Sequence, residues 1–273
     1  MPMLLNAGPS PRGWSRLGTM LQCPQRYAWT YVLPPEEGGG RQMTISPALI
    51  RGSLLHTGLA HHYQRMKCRA EGGDVNEFYE PDAAIHMQAI EEGDDWVKEI
   101  DHCVSALKAY ISHYGMETFT VEAVEQTMYA NIGPYQVTGR ADLIIRDRQG
   151  KVWIVDHKTT SRINNSQQKY YGISGQLIGY EYMGRQIFGE DWGGMLLNLI
   201  QHKSPYKYVR HELPPAPNML VRFPDMVRVA EKRIFELKDT PVDEYPMAMN
   251  ELVCYHRYGA CEFVDKCRWG KNA

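Results

Sequence analysis

The sequence has no long apolar run. The longest near its start is Met3-Leu4-Leu5, too short for a signal-peptide core, and nothing approaches the roughly 18 apolar residues of a membrane-spanning helix. It lacks a dominant charge as well. Thirty basic residues against 32 acidic ones leave −2, which excludes a globally basic nucleic-acid coat and leaves any DNA or RNA contact to local patches or metal ions. There is no internal repeat and no low-complexity tract. No G-x-x-x-x-G-K-[ST] loop is present, which excludes an ATPase motor built on that phosphate cradle. No Cys-x2-Cys pair occurs, which argues against a zinc ribbon. The expectation is a cytoplasmic globular chain with no membrane partner.

What is present is ordinary in bulk and specific in detail. The 273 residues, 43% hydrophobic and 23% charged, suit one large domain or two small ones. Apolar spacing predicts helices over Ser15 to Leu33 and Pro47 to Cys68, separated by a loop-like stretch carrying Pro34, Pro35 and Gly38-Gly39-Gly40. Pro81 to Tyr114 reads as one or two helices, with Gly93 a candidate divider. Strands follow at Val121 to Ala130, Tyr135 to Arg146 and Val152 to Val155, the last a nearly continuous apolar run suited to a doubly covered position. Gln167 to Phe188 reads as a helix whose glycines, Gly172, Gly175, Gly179 and Gly184, would permit close packing on a sheet. Met195 to Ile200 is a buried strand, Tyr206 to Leu213 an edge strand, and Leu220 to Leu237 an amphipathic helix. The tail beyond Thr240 has little periodicity. The pattern implies an α/β fold: a central sheet flanked by helices, with a helical part at 14–115, a core at 116–240 and a cysteine-rich tail at 241–273.

The densest chemistry lies in one hairpin. Gly139-Arg140-Ala141-Asp142 opens an apolar segment, and Asp156-His157-Lys158 closes the next strand. Two-residue spacing on a strand puts Asp156 and Lys158 on the same side, and a tight turn at Gly150 brings Asp142 toward them. Two carboxylates and an ammonium at the end of a buried sheet suit metal-dependent phosphodiester cleavage, because Mg²⁺ and Mn²⁺ prefer oxygen ligands. A surface hairpin with a solvated ion pair has the same spacing.

These residues resemble the PD-(D/E)XK nuclease superfamily, and more narrowly its RecB-like branch, which includes the AddB and CRISPR-adaptation nucleases. Five segments carry the resemblance in order: Leu21-Gln22-Cys23-Pro24-Gln25-Arg26-Tyr27, Arg51-Gly52-Ser53-Leu54-Leu55-His56, Gly139-Arg140-Ala141-Asp142, Asp156-His157-Lys158-Thr159-Thr160, and Gln176-Leu177-Ile178-Gly179-Tyr180. The resemblance implies a restriction-endonuclease-like core spanning 1–273 as a single nuclease domain. It implies His56, Asp142, Asp156 and the backbone carbonyl of His157 as ligands of Mg²⁺ or Mn²⁺, and Lys158 as the catalytic lysine. Gln176 and Tyr180, at i and i+4 on one helix face, would orient the site or touch DNA. Glu125 is a further candidate carboxylate. The implied activity is a DNA exonuclease, favouring single strands, in recombination, repair or phage DNA processing. It would work in the cytoplasm (a host's, if phage-encoded), with a helicase or recombination protein as a candidate partner. A DNA-binding or assembly subunit with weak catalysis is the alternative.

Six cysteines divide unevenly. Cys68 and Cys103 lie in helical patterns and read as small buried side chains. Cys254, Cys261 and Cys267 crowd the irregular tail, and three ligands need a fourth, which Cys23 can supply. Iron–sulfur members of the RecB-like branch hold a [4Fe–4S] cluster with one N-terminal and three C-terminal cysteines, so the resemblance assigns these four to a structural cluster. A four-cysteine zinc site and free thiols stay open. Basic residues with interleaved aromatics are candidate DNA contacts: His202-Lys203, Lys207 to His211, Arg222, Arg228, Lys232, Arg233, Lys266, Arg268 and Lys271, with Tyr206, Tyr208, Tyr255, Tyr258 and Trp269.

Overall fold

A computed structural model describes residues 2–5, 10–34, 46–164, 166–213, 217–256 and 259–270. Most of the loop expected at 34–47, together with Tyr258 and Lys271, lies outside the described residues.

The chain opens with α1 (Trp14–Gln22) and α2 (Pro24–Tyr27), the latter running into a π-helical turn at Ala28–Val32. One continuous helix was expected here. Cys23 breaks it by adopting an extended backbone, and its sulfur caps the next turn by accepting from the Arg26 amide. Helix α3 (Pro47–Ala70) has Ser46 as its N-cap and Pro47 in its first turn, which fixes where it starts. The next stretch holds three helices, α4 (Pro81–Glu92), α5 (Asp94–Val97) and α6 (Ile100–Tyr114). Gly93 separates the first two, as its positive φ of 108° requires.

Three strands follow: β1 (Thr120–Ile132), β2 (Tyr135–Arg146) and β3 (Val152–Thr160). Helices α7 (Ser166–Tyr171) and α8 (Gly175–Phe188) replace the single helix expected over 167–188; the chain leaves helical geometry at Gly172-Ile173-Ser174. The rest comprises β4 (Trp192–Gln201), β5 (Lys207–Glu212), α9 (Pro217–Glu236) and a tail of short pieces: α10 (Glu251–Cys254), β6 (Tyr255–His256), β7 (Gly259–Ala260) and α11 (Val264–Trp269).

Strands β1 to β5 form one sheet in sequence order. Neighbours are antiparallel except β3 and β4, which run parallel because α7 and α8 carry the chain back across the sheet. Each face has its own core. Ile144, Ile154 and Leu197 pack beneath α1, α8 and α9, with Leu177, Phe223 and Val227. Leu143, Ile145, Val155 and Ile200 pack beneath α3 and α6, with Leu55, Leu59 and Leu107. Strand β3 is covered on both faces, as its apolar run predicts. No described helix is long and apolar enough to cross a membrane.

The α8 glycines make room for aromatic rings on three neighbours rather than for the sheet alone. Gly175 faces Trp14 of α1, Gly179 faces Phe223 of α9, and Gly184 faces Trp192 at the start of β4. A Cβ on Gly184 would stand 2.4 Å from the Trp192 ring. Gly184→Ala should therefore cost about 1–3 kcal/mol, the usual range for overpacking. Urea unfolding checks this, and an unchanged midpoint would show that the indole swings away freely.

Candidate active site

The site lies where β1, β2 and β3 pass between α3 on one face and α8 on the other. Pairing of Leu143 with Val155 sets the register, and the next residues outward are Asp142 and Asp156. Asp142 Oδ2 accepts from the His157 backbone amide at 2.8 Å, tying the two strands together at this point. The Lys158 ammonium stands 2.7 Å from Asp156 Oδ2, so the two share a side of the strand as their spacing requires.

Helix α3 contributes His56, whose Nδ1 is 3.6 Å from Asp142 Oδ2. Strand β1 contributes Glu125. Ligand atoms of His56, Glu125 and Asp142 all lie within 4.8 Å of one another, close enough to share one cation. Asp156 stands outside that trio, yet both of its carboxylate oxygens are buried with no hydrogen-bond partner beyond the nearby ammonium. An orphaned buried carboxylate beside a His–Glu–Asp set fits a divalent cation in its donor chemistry.

Glu125 carries more weight here than sequence reading allows. Its φ is +49°, a left-handed backbone that glutamate rarely adopts in a strand. Beyond it, β1 changes the face it presents. Val124 packs into the α3–α6 core, whereas Met128 and Ala130 pack into the opposite one. Strand β2 makes the same change between Ala141 and Leu143. The two irregularities share one rung of the sheet, and Glu125 and Asp142 sit on it. Alternating periodicity assumes a regular strand and cannot reveal such a residue.

Helix α8 steadies the lysine. Gln176 Oε1 lies 3.5 Å from Lys158 Nζ, and its Nε2 donates to Tyr180 Oη at 3.1 Å. The Tyr180 hydroxyl in turn donates to the Arg140 carbonyl, two residues before Asp142. Gly139 permits this approach, since a Cβ there would stand 2.6 Å from the Tyr180 ring. The His157 side chain turns the other way. Its ring stacks on Tyr63, and Nδ1 lies 2.8 Å from Asn198 Nδ2, within a buried network. Asn198 also donates to Tyr110, and Tyr110 and Tyr63 both meet the Arg210–Glu117 ion pair.

Electrostatics separates the titratable groups. Burial would raise Asp142, but His56, Lys158 and the His157 backbone amide outweigh it and hold the carboxyl below its ordinary range. Burial raises Asp156, and the charge of Asp142 adds to it. Glu125 is pushed up to about 8 by burial and by Asp142. Burial works against the charge on Lys158, but Asp156 and Asp142 outweigh it and raise its pKa, so it remains an ammonium at neutral pH. Glu125 and Asp142 open onto a cavity of about 460 Å³, between the segment around Arg12 and helix α8.

A family model for the PD-(D/E)XK nuclease superfamily matches residues 14–268. The chain belongs to this superfamily. The five-stranded mixed sheet flanked by helices is the fold of these nucleases. No curated protein matches the chain. Among solved structures, a protein of Eubacterium rectale named as an exonuclease candidate is 16% identical, over 97% of this chain and 93% of its own, with a TM-score of 0.44. The protein SSO0001 is 21% identical, over 68% of this chain and 77% of its own, with a TM-score of 0.32.

A second centre lies at the tail. Cys23, Cys254, Cys261 and Cys267 are free thiols lining one cavity of about 350 Å³, with Trp29 and Phe263 in its wall. Burial, together with the other three thiols, pushes Cys267 up to about 11. Around a single tetrahedral zinc, sulfurs at about 2.3 Å from the metal sit roughly 3.8 Å apart. Among the described residues no three of these sulfurs lie within 4.8 Å of one another. Four thiols around one cavity are a donor set that could hold a metal. Cys68 and Cys103 are buried elsewhere, as their helical settings predict.

Several basic candidates have structural work instead. Arg210 is held by Glu117 and lies 3.6 Å over the Tyr114 ring, while Tyr206 and Tyr208 pack against the core. Arg228 pairs with Asp225. Tyr255 and Trp269 are exposed.

The His157 ring, buried and neutral, has its pKa lowered to about 3 by burial. In the unfolded chain it would protonate near 6.5. Between those values the unfolded chain holds a proton that the native one does not, so this residue's contribution to stability falls as pH falls from 6.5 toward 3. Its share of the slope is about 1.4 kcal/mol per pH unit. Unfolding curves from pH 7 to pH 4.5 should be shallower in pH for His157→Gln than for wild type; equal slopes would show that the imidazole is protonated in the fold.

Proposed function

We propose that this chain is a metal-dependent deoxyribonuclease of the RecB-like branch, an exonuclease favouring single-stranded DNA. The observation that carries phosphodiester hydrolysis is the meeting of Asp142, Asp156, Lys158 and Glu125, from three neighbouring strands, with His56 of α3. Single-strand preference and a role in recombination, repair or phage DNA processing rest on the five-segment resemblance. The absence of a P-loop leaves any unwinding to a separate helicase or recombination partner.

His56, Glu125, Asp142 and Asp156 would hold Mg²⁺ or Mn²⁺, with the His157 carbonyl as a further ligand. When bound, the ion polarises the phosphate and lowers the pKa of a coordinated water. Lys158, kept cationic by its carboxylate neighbours, orients the attacking water and offsets charge that develops on the phosphoryl oxygens. Gln176 restrains the lysine, and Tyr180 anchors Gln176 to the Arg140 carbonyl. Cys23, Cys254, Cys261 and Cys267 would hold a [4Fe–4S] cluster of structural role, joining the tail at 241–273 to α2 within a single nuclease domain.

Cleavage of end-labelled single-stranded DNA by anaerobically purified protein, with Mg²⁺, Mn²⁺ or EDTA, tests the reading. Asp142→Ala should abolish cutting. Lys158→Ala should lower the rate by about 10²–10³-fold or more, with DNA affinity nearly intact. Glu125→Gln should raise the metal concentration for half-maximal cleavage by roughly 10–100-fold. A folded, iron-loaded protein that cuts no DNA with either metal would make the chain a binding subunit instead.

Cys261→Ser should lower both iron content and Tm. Equimolar zinc without iron in the wild-type protein would overturn the cluster.

A further inference from the structure

A second polar cavity, of about 510 Å³, lies on the other side of the β3 carboxylate–lysine motif. Its wall starts at Thr159 and Thr160, directly after Lys158, and continues through the loop into α7. The Tyr171 ring belongs to this wall and lies 6.0 Å from Lys158 Nζ, so the cavity adjoins the proposed catalytic lysine. Arg51 of α3 closes one side, and His202 and Lys203, beyond β4, close another.

The lining is rich in donors. Among the described residues no aspartate or glutamate forms it, whereas the first cavity holds Glu125 and Asp142. Glu99 pairs with Arg51 at 3.3 Å without entering the wall. The buried His202 is lowered to about 4 by burial and by Arg51, so it is neutral, and its Nδ1 lies 2.8 Å from His102 Nε2. The loop is firmly held. Gln167 Nε2 donates to Thr160 Oγ1 at 3.1 Å, its Oε1 accepts from the Asn164 amide, and Gln201 Oε1 accepts from the Ile163 amide. Tyr170 stands half-exposed at the rim.

Cations, hydroxyls and amides without carboxylates suit a phosphodiester, and an exposed phenol beside them suits a nucleobase face. We propose that this cavity is a nucleotide subsite: it binds the backbone phosphate next to the scissile one between Arg51 and Lys203, and stacks that nucleotide's base on Tyr170. The proposal rests on the nuclease reading for its position along the strand. The two cavities flank the motif, so a single strand can run from one to the other with its scissile phosphate over Asp142 and Lys158.

The test uses the exposed Lys203→Ala and Tyr170→Ala, which leave the Arg51–Glu99 pair intact. Binding of a fluorescent twelve-nucleotide oligothymidylate is measured in EDTA across a salt series. Lys203→Ala should weaken binding about five- to tenfold at 0.1 M salt. It should also flatten the slope of log affinity against log salt by about 0.7, the change for one lost contact to single-stranded phosphate. Tyr170→Ala should weaken binding by about fivefold or more and leave the slope unchanged. Hydrolysis of thymidine 5′-(p-nitrophenyl phosphate), which has a single phosphodiester, should keep its wild-type kcat/KM in both variants. Wild-type affinity and slope in both variants would overturn the subsite, as would equal losses on the ester and the oligomer. A wild-type protein that hydrolyses neither substrate with Mg²⁺ or Mn²⁺ would sink the nuclease reading separately, while the binding measurements would still decide whether the cavity holds nucleotides.

Discussion

Two carboxylates held side by side under a protein core repel each other and lose water, and the arrangement survives only if cations and donors surround them. That constraint organises this molecule. Asp142 receives the His157 amide and the nearby His56, and Asp156 receives the Lys158 ammonium. The His157 amide and Lys158 belong to the hairpin itself, but His56 comes from α3 and Gln176, beside the lysine, from α8, so both helices must pack on the hairpin before the charges are tolerable. The sheet's face change at Glu125 and Asp142 fits the same constraint, because it turns both carboxylates out of the regular apolar alternation at one rung.

The layer behind the motif is equally committed. His157 cannot point toward the carboxylates, because its neighbours in sequence do. It enters the α3–α6 core, where Tyr63 stacks on it and Asn198 holds its Nδ1. Tyr110, Tyr63, Glu117 and Arg210 extend that contact to β5 at the sheet edge. Removing one member leaves a buried polar group unpaired, and removing one partner of a buried ion pair costs about 3–5 kcal/mol when no solvent relieves it. Arg210 is therefore better understood as part of the scaffold behind β3 than as a contact for nucleic acid.

Much of this was legible from residues alone, and the reason differs element by element. Strand β2 runs from Tyr135 to Arg146 as expected, because Gly133-Pro134 and Asp147 to Gly150 punctuate both ends. The side shared by Asp156 and Lys158 follows from strand geometry alone. Helix breaks were harder. Cys23 and the Gly172-Ile173-Ser174 step interrupt patterns whose apolar spacing continues past them, so periodicity joins what the backbone separates. Glu125 was underweighted for a related cause, since its backbone departs from the period used to read its neighbours. The four cysteines meet across more than 200 residues, which no local pattern can show; only the resemblance joined Cys23 to the tail before the cavity did.

The tail presents a final physical problem. Its helices α10 and α11 have four and six residues, and β6 and β7 have two each. Such pieces do not hold themselves, because helix nucleation and isolated strand pairs are both unfavourable in water. The apolar support nearby is slight: Tyr245 joins Met20, Tyr27 and Ala28 in a small core, and Phe263 packs on Trp29. Arg26 adds an ion pair with Glu262 at 3.0 Å, partly exposed and so worth little. Lys266 of α11 lies over the Trp29 ring at 4.5 Å, and one thiol from the start of the chain and three from its end line the cavity between α2 and the tail. A metal held by those sulfurs, as proposed, would close a loop that spans nearly the whole chain, and loop closure removes the most conformational freedom from the unfolded chain when the loop is long. On the proposed reading, the atoms that make the tail look irregular would also supply the restraint that orders it.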